Sequence, residues 1–191
     1  MSADSNSLHI DPVQGLAHGV PFLASPHCDD RPPGCAVELL VIHAISLPAG
    51  HYGGDDVTAL FLGRLDCRHP DYAGLTDLRV SAHFFIRRDG RLVQFVPIQR
   101  RAWHAGASRF GRRERCNDFS IGVELEGCDL DPFTANQYAT LIALTRALRA
   151  ACPAIGAERI VGHSDIAPGR KTDPGLHFDW ARYRAGLLDT S

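Results

Sequence analysis

Val161-Gly162-His163 ends an apolar step on an imidazole, and the same segment returns a carboxylate at Asp173, with Lys171 two residues before it. Between them Pro168 and Gly169 punctuate a loop, and Pro174-Gly175 closes it. Imidazole nitrogen and carboxylate oxygen are both good ligands for zinc, and a catalytic zinc keeps three protein ligands and one open position. Taken alone, a His-x9-Asp pair is more often a solvated polar loop with a structural histidine. A third ligand therefore has to come from elsewhere in the chain.

Glu38-Leu39-Leu40-Val41-Ile42-His43 is the best source of one. The run Leu39 to Ile42 is continuously apolar, the pattern of a strand covered on both faces, although periodicity alone does not exclude a buried helix. His43 stands at its end, where Ser46-Leu47-Pro48-Ala49-Gly50 begins a loop. In that position it can line a cleft or be a hydrogen-bonded core histidine.

Phe119 to Gly127 alternates with period two, so Glu124 and Glu126 share one face and Val123 and Leu125 the other. Either carboxylate, set opposite a metal, could deprotonate a water; on an open strand face both would simply be solvated. Spacing does not choose between them.

The motifs Val41-Ile42-His43, Ser81-Ala82-His83, Arg101 to Gly106, Cys116 to Gly127 and Gly162 to Gly175 occur in an order that resembles the zinc-dependent N-acetylmuramoyl-L-alanine amidases, most closely their AmpD-like, anhydro-muropeptide branch. The likeness covers about residues 26–183, nearly the whole chain. It implies one zinc per chain held by His43, His163 and Asp173, with Glu124 catalytic and Lys171 assisting. It implies a muropeptide substrate, cut between (1,6-anhydro-)N-acetylmuramic acid and L-alanine in cell-wall recycling. Arg79 and Arg115 align with peptide-contacting arginines, whose guanidinium forks suit carboxylates. Trp103-His104 offers a flat apolar platform and a polar tip for a sugar ring. Related sequences usually carry Asn after the first histidine, where this chain has Ala44, so a side-chain amide that could orient substrate is missing. Two alternatives are a wall-fragment recognition module that binds without cutting and a periplasmic amidase acting on polymeric wall.

The elements that must position these groups fit one domain. At 191 residues, with 45% hydrophobic and 22% charged side chains, the chain can bury a substantial core. Its formal net charge of −2 and lack of a clustered basic surface argue against a nucleic-acid partner. The Arg-rich stretch Arg109 to Arg115 contains Glu114 and no aromatic ladder, and reads as a polar loop facing an acidic small substrate. The first seven residues have neither a basic region nor an apolar core like those of a secretory signal, and no apolar run approaches the roughly 20 residues of a membrane span. A cytoplasmic monomer without membrane contact is expected. The six cysteines have no CxxC spacing and read as free thiols in a reducing compartment.

Residues 1–34 are polar and turn-rich, an irregular arm packed on an amidase domain at 35–191. Asp55 to Gly63 suits a short helix. Asp89-Gly90 between Ser81–Arg87 and Arg91–Val96 signals a hairpin. Thr134-Ala135-Asn136-Gln137 opens a capped helix through Ala151 whose stripe Tyr138, Leu141, Ile142, Thr145 and Leu148 is core. Ile160-Val161 is a short strand before His163, and Asp179 to Leu188 a final helix. His83 is expected to be buried and hydrogen-bonded, with a supporting role at the cleft as the alternative; surface roles are expected for His9, His18, His27, His51 and His69. Strands and helices interleave around at least one hairpin, so the fold class is mixed α/β, a central mixed sheet flanked by helices.

Overall fold

The structure, a computed structural model, describes residues 8–188. Residues 1–7, the start of the expected arm, lie outside the described residues. In chain order the elements are β1 (Cys28–Asp30), β2 (Leu39–Ile45), α1 (Asp56–Phe61), β3 (Phe84–Ile86), β4 (Leu92–Gln94), β5 (Arg100–Ala102), β6 (Arg109–Phe110), β7 (Arg113–Glu114), β8 (Ser120–Glu126), α2 (Ala135–Ala151), β9 (Ile160–Gly162), α3 (His163–Ile166) and α4 (Trp180–Leu188).

The uninterrupted apolar run at Leu39 becomes a central strand. Five strands form a sheet in the order β4-β3-β8-β2-β9, with β2 parallel to both β8 and β9 and β3 parallel to β8. Only β4 runs antiparallel, across the hairpin with β3, and Gly90 takes the left-handed conformation that this turn needs (φ 89°). The hairpin strands are shorter than their apolar pattern suggested. Two small ladders, β1–β5 and β6–β7, lie outside the main sheet.

The two faces of the sheet serve different purposes. Leu40, Ile42, Ile121, Val123, Leu125, Phe84 and Ile86 point to one face and form the main core with Tyr138, Leu141, Leu144 and Leu148 of α2 and Tyr183 of α4. On the other face, alternate residues Leu39, Val41, His43, Ser120, Gly122, Glu124 and Glu126 meet loops and short helices. Smaller apolar clusters there, around Phe61, Phe85 and Phe95 and around Leu39, Phe119 and Ile166, hold those loops down. Consequently β8 is buried along its whole length, and neither glutamate is on an open face.

Helix α2 starts where the sequence places it. Thr134 Oγ1 accepts from the Gln137 amide at 3.1 Å, while Gln137 Oε1 accepts from the Thr134 amide at 3.0 Å. Gln137 is itself buried, its Nε2 donating to the Glu126 and Ile86 carbonyls, so the cap ties the helix to the ends of β8 and β3.

The stretch before residue 35 is more ordered than its composition suggests. It supplies β1, and Arg31 crosses beneath the sheet ends to donate to the carbonyls of Ile98, Asn117, Asp118 and Ser120. Burial pulls the Arg31 guanidinium down to about 10, still charged at neutral pH. His27, expected at the surface, is buried with Nδ1 3.0 Å from the Val80 carbonyl. A polar, turn-rich composition hid that packing. All six cysteines are free, and among the described residues no helix is long and apolar enough to cross a membrane.

Replacing Thr134 by Ala removes the cap of α2 and the 2.7 Å bond from Oγ1 to the Arg88 carbonyl. Unfolding by urea should show a loss of about 1–2 kcal/mol. Helix α2 packs on one face of the sheet, so the loops on the other face should keep their structure.

Candidate metal centre and cleft

The parallel pairing of β2 with β8 sets His43 directly beside Glu124. Neighbouring strands are about 4.8 Å apart, and paired residues send their side chains to the same face. His163 arrives from β9, the other neighbour of β2, as the first residue of the one-turn helix α3, in a segment where Pro168 and Gly169 predict only a loop. The Asp165 carboxylate accepts from the Gly162 amide at 2.7 Å and closes that turn. The loop after α3 folds back, with the Ser164 amide donating to the Asp173 carbonyl at 3.0 Å.

Three ligand-type atoms converge there. His43 Nδ1 lies 3.0 Å from His163 Nδ1 and 3.2 Å from Asp173 Oδ2, and His163 Nδ1 lies 3.0 Å from the same oxygen. A tetrahedral ion with bonds of about 2.0–2.1 Å separates its ligand atoms by roughly 3.3 Å, close to these spacings. The protonation states also fit. Burial lowers His43 to about 4, against the opposing pull of Asp173, so its ring is neutral at pH 7. Burial pushes the Asp173 carboxyl up, but the His163 and His43 rings set against it outweigh that and hold it below its ordinary value. His163 Nε2 lies 3.1 Å from the Ala105 carbonyl, and donating to it leaves Nδ1 free to bind a metal. Two imidazoles and one carboxylate form a donor set that fits zinc, and they constitute the single metal-type group among the described residues.

The two glutamates of β8 separate here. Glu126 Oε1 accepts from the Gly53 amide at 2.6 Å and Oε2 from the Arg88 amide at 2.8 Å, so its carboxylate pins the loop after β2 to the β3–β4 hairpin. Glu124 has no such employment. It is buried, Oε2 has no hydrogen-bond partner among the described residues, and desolvation, then the nearby Asp173 charge, raises its pKa well above the ordinary value. Lys171 opposes that shift electrostatically.

Glu124, Lys171, His163 and Asp173 line one cleft of about 250 Å³, whose opposite wall is the apolar set Leu47, Leu60, Phe61, Leu75 and Leu78. Ala44 lines it too.

The remaining expected site residues are dispersed. His104 lines the cleft but is buried behind His43, with Nδ1 2.9 Å from His43 Nε2. Trp103 faces away from that wall, donating its indole N–H to Asp29 and stacking on His27. Arg79 is exposed at a neighbouring cavity of about 220 Å³ that shares Leu60, Leu75 and Leu78 with the cleft. Arg115 lies at the mouth of another cavity, of about 550 Å³, with Arg109 and Arg170. His83 is fully buried, Nδ1 accepting from the Gly122 amide and Nε2 donating to the Arg100 carbonyl. Ser120, which the sequence reading did not single out, bonds His104; its signal was parity, because it shares the strand face of Glu124.

Residues 33–176 match the family model described as N-acetylmuramoyl-L-alanine amidase. The chain belongs to that family. It is 55% identical over 172 residues to the Escherichia coli K12 1,6-anhydro-N-acetylmuramyl-L-alanine amidase AmpD, covering 90% of this chain and 93% of AmpD. A crystal structure of a Se-Met AmpD derivative superposes with a TM-score of 0.89 at 53% identity, covering 93% of this amidase and 98% of that chain. Pseudomonas aeruginosa AmpDh3, solved in complex with anhydromuramic pentapeptide, is more distant: TM-score 0.61 and 28% identity, over 81% of this chain and 61% of that one.

The contrast between the two glutamates gives a measurable difference in the metal-free amidase. The Glu124 pKa is raised on folding, so its ionisation costs stability; the cost is absent below the ordinary carboxyl range and grows as pH rises through the shifted value. Glu124→Gln should therefore gain thermal stability over wild type as pH is raised from about 4 to about 8. Glu126→Ala removes the two charge-assisted bonds from the Gly53 and Arg88 amides and should lose stability throughout, by about 1–3 kcal/mol.

Proposed function

We propose that this amidase hydrolyses the amide joining the lactyl group of 1,6-anhydro-N-acetylmuramic acid to L-alanine in soluble muropeptides, using one zinc held by His43, His163 and Asp173. The observation that carries the reading is the convergence of three bare ligand atoms, 3.0–3.2 Å apart, beside a buried and unpartnered carboxyl. The substrate class is supported by the 55% identity to AmpD and by the pentapeptide complex of AmpDh3.

A zinc ion in this site would polarise the amide carbonyl and lower the pKa of a water to about 7. Glu124 accepts the proton of the attacking water and returns it to the departing amine nitrogen, base and then acid. Its desolvated setting favours that exchange, because a carboxyl with a raised pKa takes and holds a proton more readily than an ordinary one. Lys171, with three donors and no lone pair, faces the oxyanion that forms as water adds to the carbonyl; it cannot serve as a ligand while charged. The apolar wall across the cleft excludes bulk water and strengthens these interactions. Arg79, in its neighbouring cavity, and Arg115 offer guanidinium forks to the carboxylates of the stem peptide. A monomer working in the cytoplasm on recycled wall fragments fits the AmpD relationship.

Incubation with anhydro-muropeptide and with sacculi, at matched bond concentration and with products identified by mass, tests the reading. Free peptide and anhydro-N-acetylmuramic acid should appear faster from the soluble fragment. Faster release from sacculi would contradict the proposed substrate, and no cleavage of either would contradict the activity. Glu124→Ala should abolish turnover with zinc still bound. Lys171→Ala should keep its zinc and lose at least about 100-fold in kcat and kcat/KM together.

A further inference from the structure

We infer that Ser120 and His104 are positioning residues: a hydrogen-bond chain of fixed polarity, running from the Cys116 carbonyl through Ser120 and His104, locks His43 in the tautomer whose Nδ1 can bind metal. This rests on the metal site proposed above.

The polarity follows from the end of the chain. The Cys116 carbonyl can only accept, and Ser120 Oγ lies 2.6 Å from it, so the single hydroxyl proton points there. Ser120 Oγ must then accept from the ring 3.1 Å away, which places a proton on His104 Nε2. A neutral imidazole carries one N–H, so His104 Nδ1 is an acceptor. Its neighbour at 2.9 Å is His43 Nε2, which must donate, and His43 Nδ1 is left with a bare lone pair aimed at His163 and Asp173. Every step is buried: Ser120 is 0%, His43 1% and His104 8% exposed, so water does not offer the rings another partner. Metal-binding histidines are commonly oriented by a partner on the other ring nitrogen. Here that partner is a second imidazole, whose own tautomer must be set by a hydroxyl.

The surroundings are built for this chain. Gly122 lies between Ser120 and Glu124 on the strand face, and a Cβ there would come within 2.4 Å of His104 Cγ; only glycine leaves room for the ring. Asn117 Oδ1 accepts from the backbone amides of His104 and Ala105, at 3.2 and 2.8 Å. Arg31 donates to the carbonyls of Asn117 and Ser120, holding the start of β8 against the His104 loop.

Removing the hydroxyl with Ser120→Ala frees His104 to reverse its tautomer and donate from Nδ1, which forces the proton of His43 onto the ligand nitrogen. His104→Phe keeps an aromatic ring but no acceptor. His104→Asn can restore an acceptor oxygen near the Nδ1 position. Competition with a chelator on the full chain should give zinc affinities about 10–100-fold weaker for Ser120→Ala and His104→Phe, with His104→Asn recovering most of the loss. Nitrogen-15 NMR of the zinc-loaded wild type should show His104 protonated at Nε2 and bare at Nδ1, a signature that mere packing would not produce. Wild-type zinc affinity in both weakened variants, or a His104 protonated at Nδ1 in the wild type, would overturn the inference while leaving the metal site standing. A wild-type chain that takes up no zinc would overturn both.

Discussion

The register between β2 and β8 is the constraint on which the site depends. Pairing His43 with Glu124 puts a metal-type imidazole and a desolvated carboxyl side by side on one face, while Ile42 and Val123, their immediate neighbours, enter the core on the other. A slip of either strand by one residue would turn its functional side chain into the contact with α2 and take its apolar set out of the core. The site is therefore specified by the same alternation that specifies the core. Helix α2 enforces it from behind through Leu141, Leu144 and Leu148, and Gln137 clamps the end of β8.

Burial then divides labour among polar groups that look alike in sequence. Glu124 and Glu126 have the same parity, yet one carboxylate receives two backbone amides and the other is left with an unpartnered oxygen. The first is a fastener and the second is held at an energetic cost, which is the usual condition of a group kept ready for proton transfer. The histidines divide in a similar way. His43 and His163 turn Nδ1 inward to the metal-type group, whereas His83 and His104 spend both ring nitrogens on partners within the protein.

Much of this was legible in the chain. The apolar run at Leu39, the Asp89-Gly90 turn, the capping box at Thr134 and the period-two alternation before Gly127 each encode a local preference strong enough to survive folding, and each element is present. The resemblance to the amidases carried the ligand trio and chose Glu124. What stayed hidden depends on contacts between distant segments. The polar arm gave no sign that Arg31 would collect four backbone carbonyls, or that His27 would be buried. Trp103-His104 reads as a pair for a sugar ring, but the bend after β5 sends the two side chains to different neighbours, Asp29 and His43. The small residues Ser120 and Gly122, on the same parity as the glutamates, were the available signal that a ring had to fit against that face.

The central claim is that the convergence of His43, His163 and Asp173 makes one zinc site on which hydrolysis depends. Its most direct test is a titration of zinc into the fully metal-free amidase, with anhydro-muropeptide cleavage followed at each addition. The account predicts activity rising linearly and reaching its plateau at one zinc per chain, with Asp173→Ala showing no such rise. Full cleavage by verified metal-free protein, or a plateau unaffected by loss of Asp173, would contradict it.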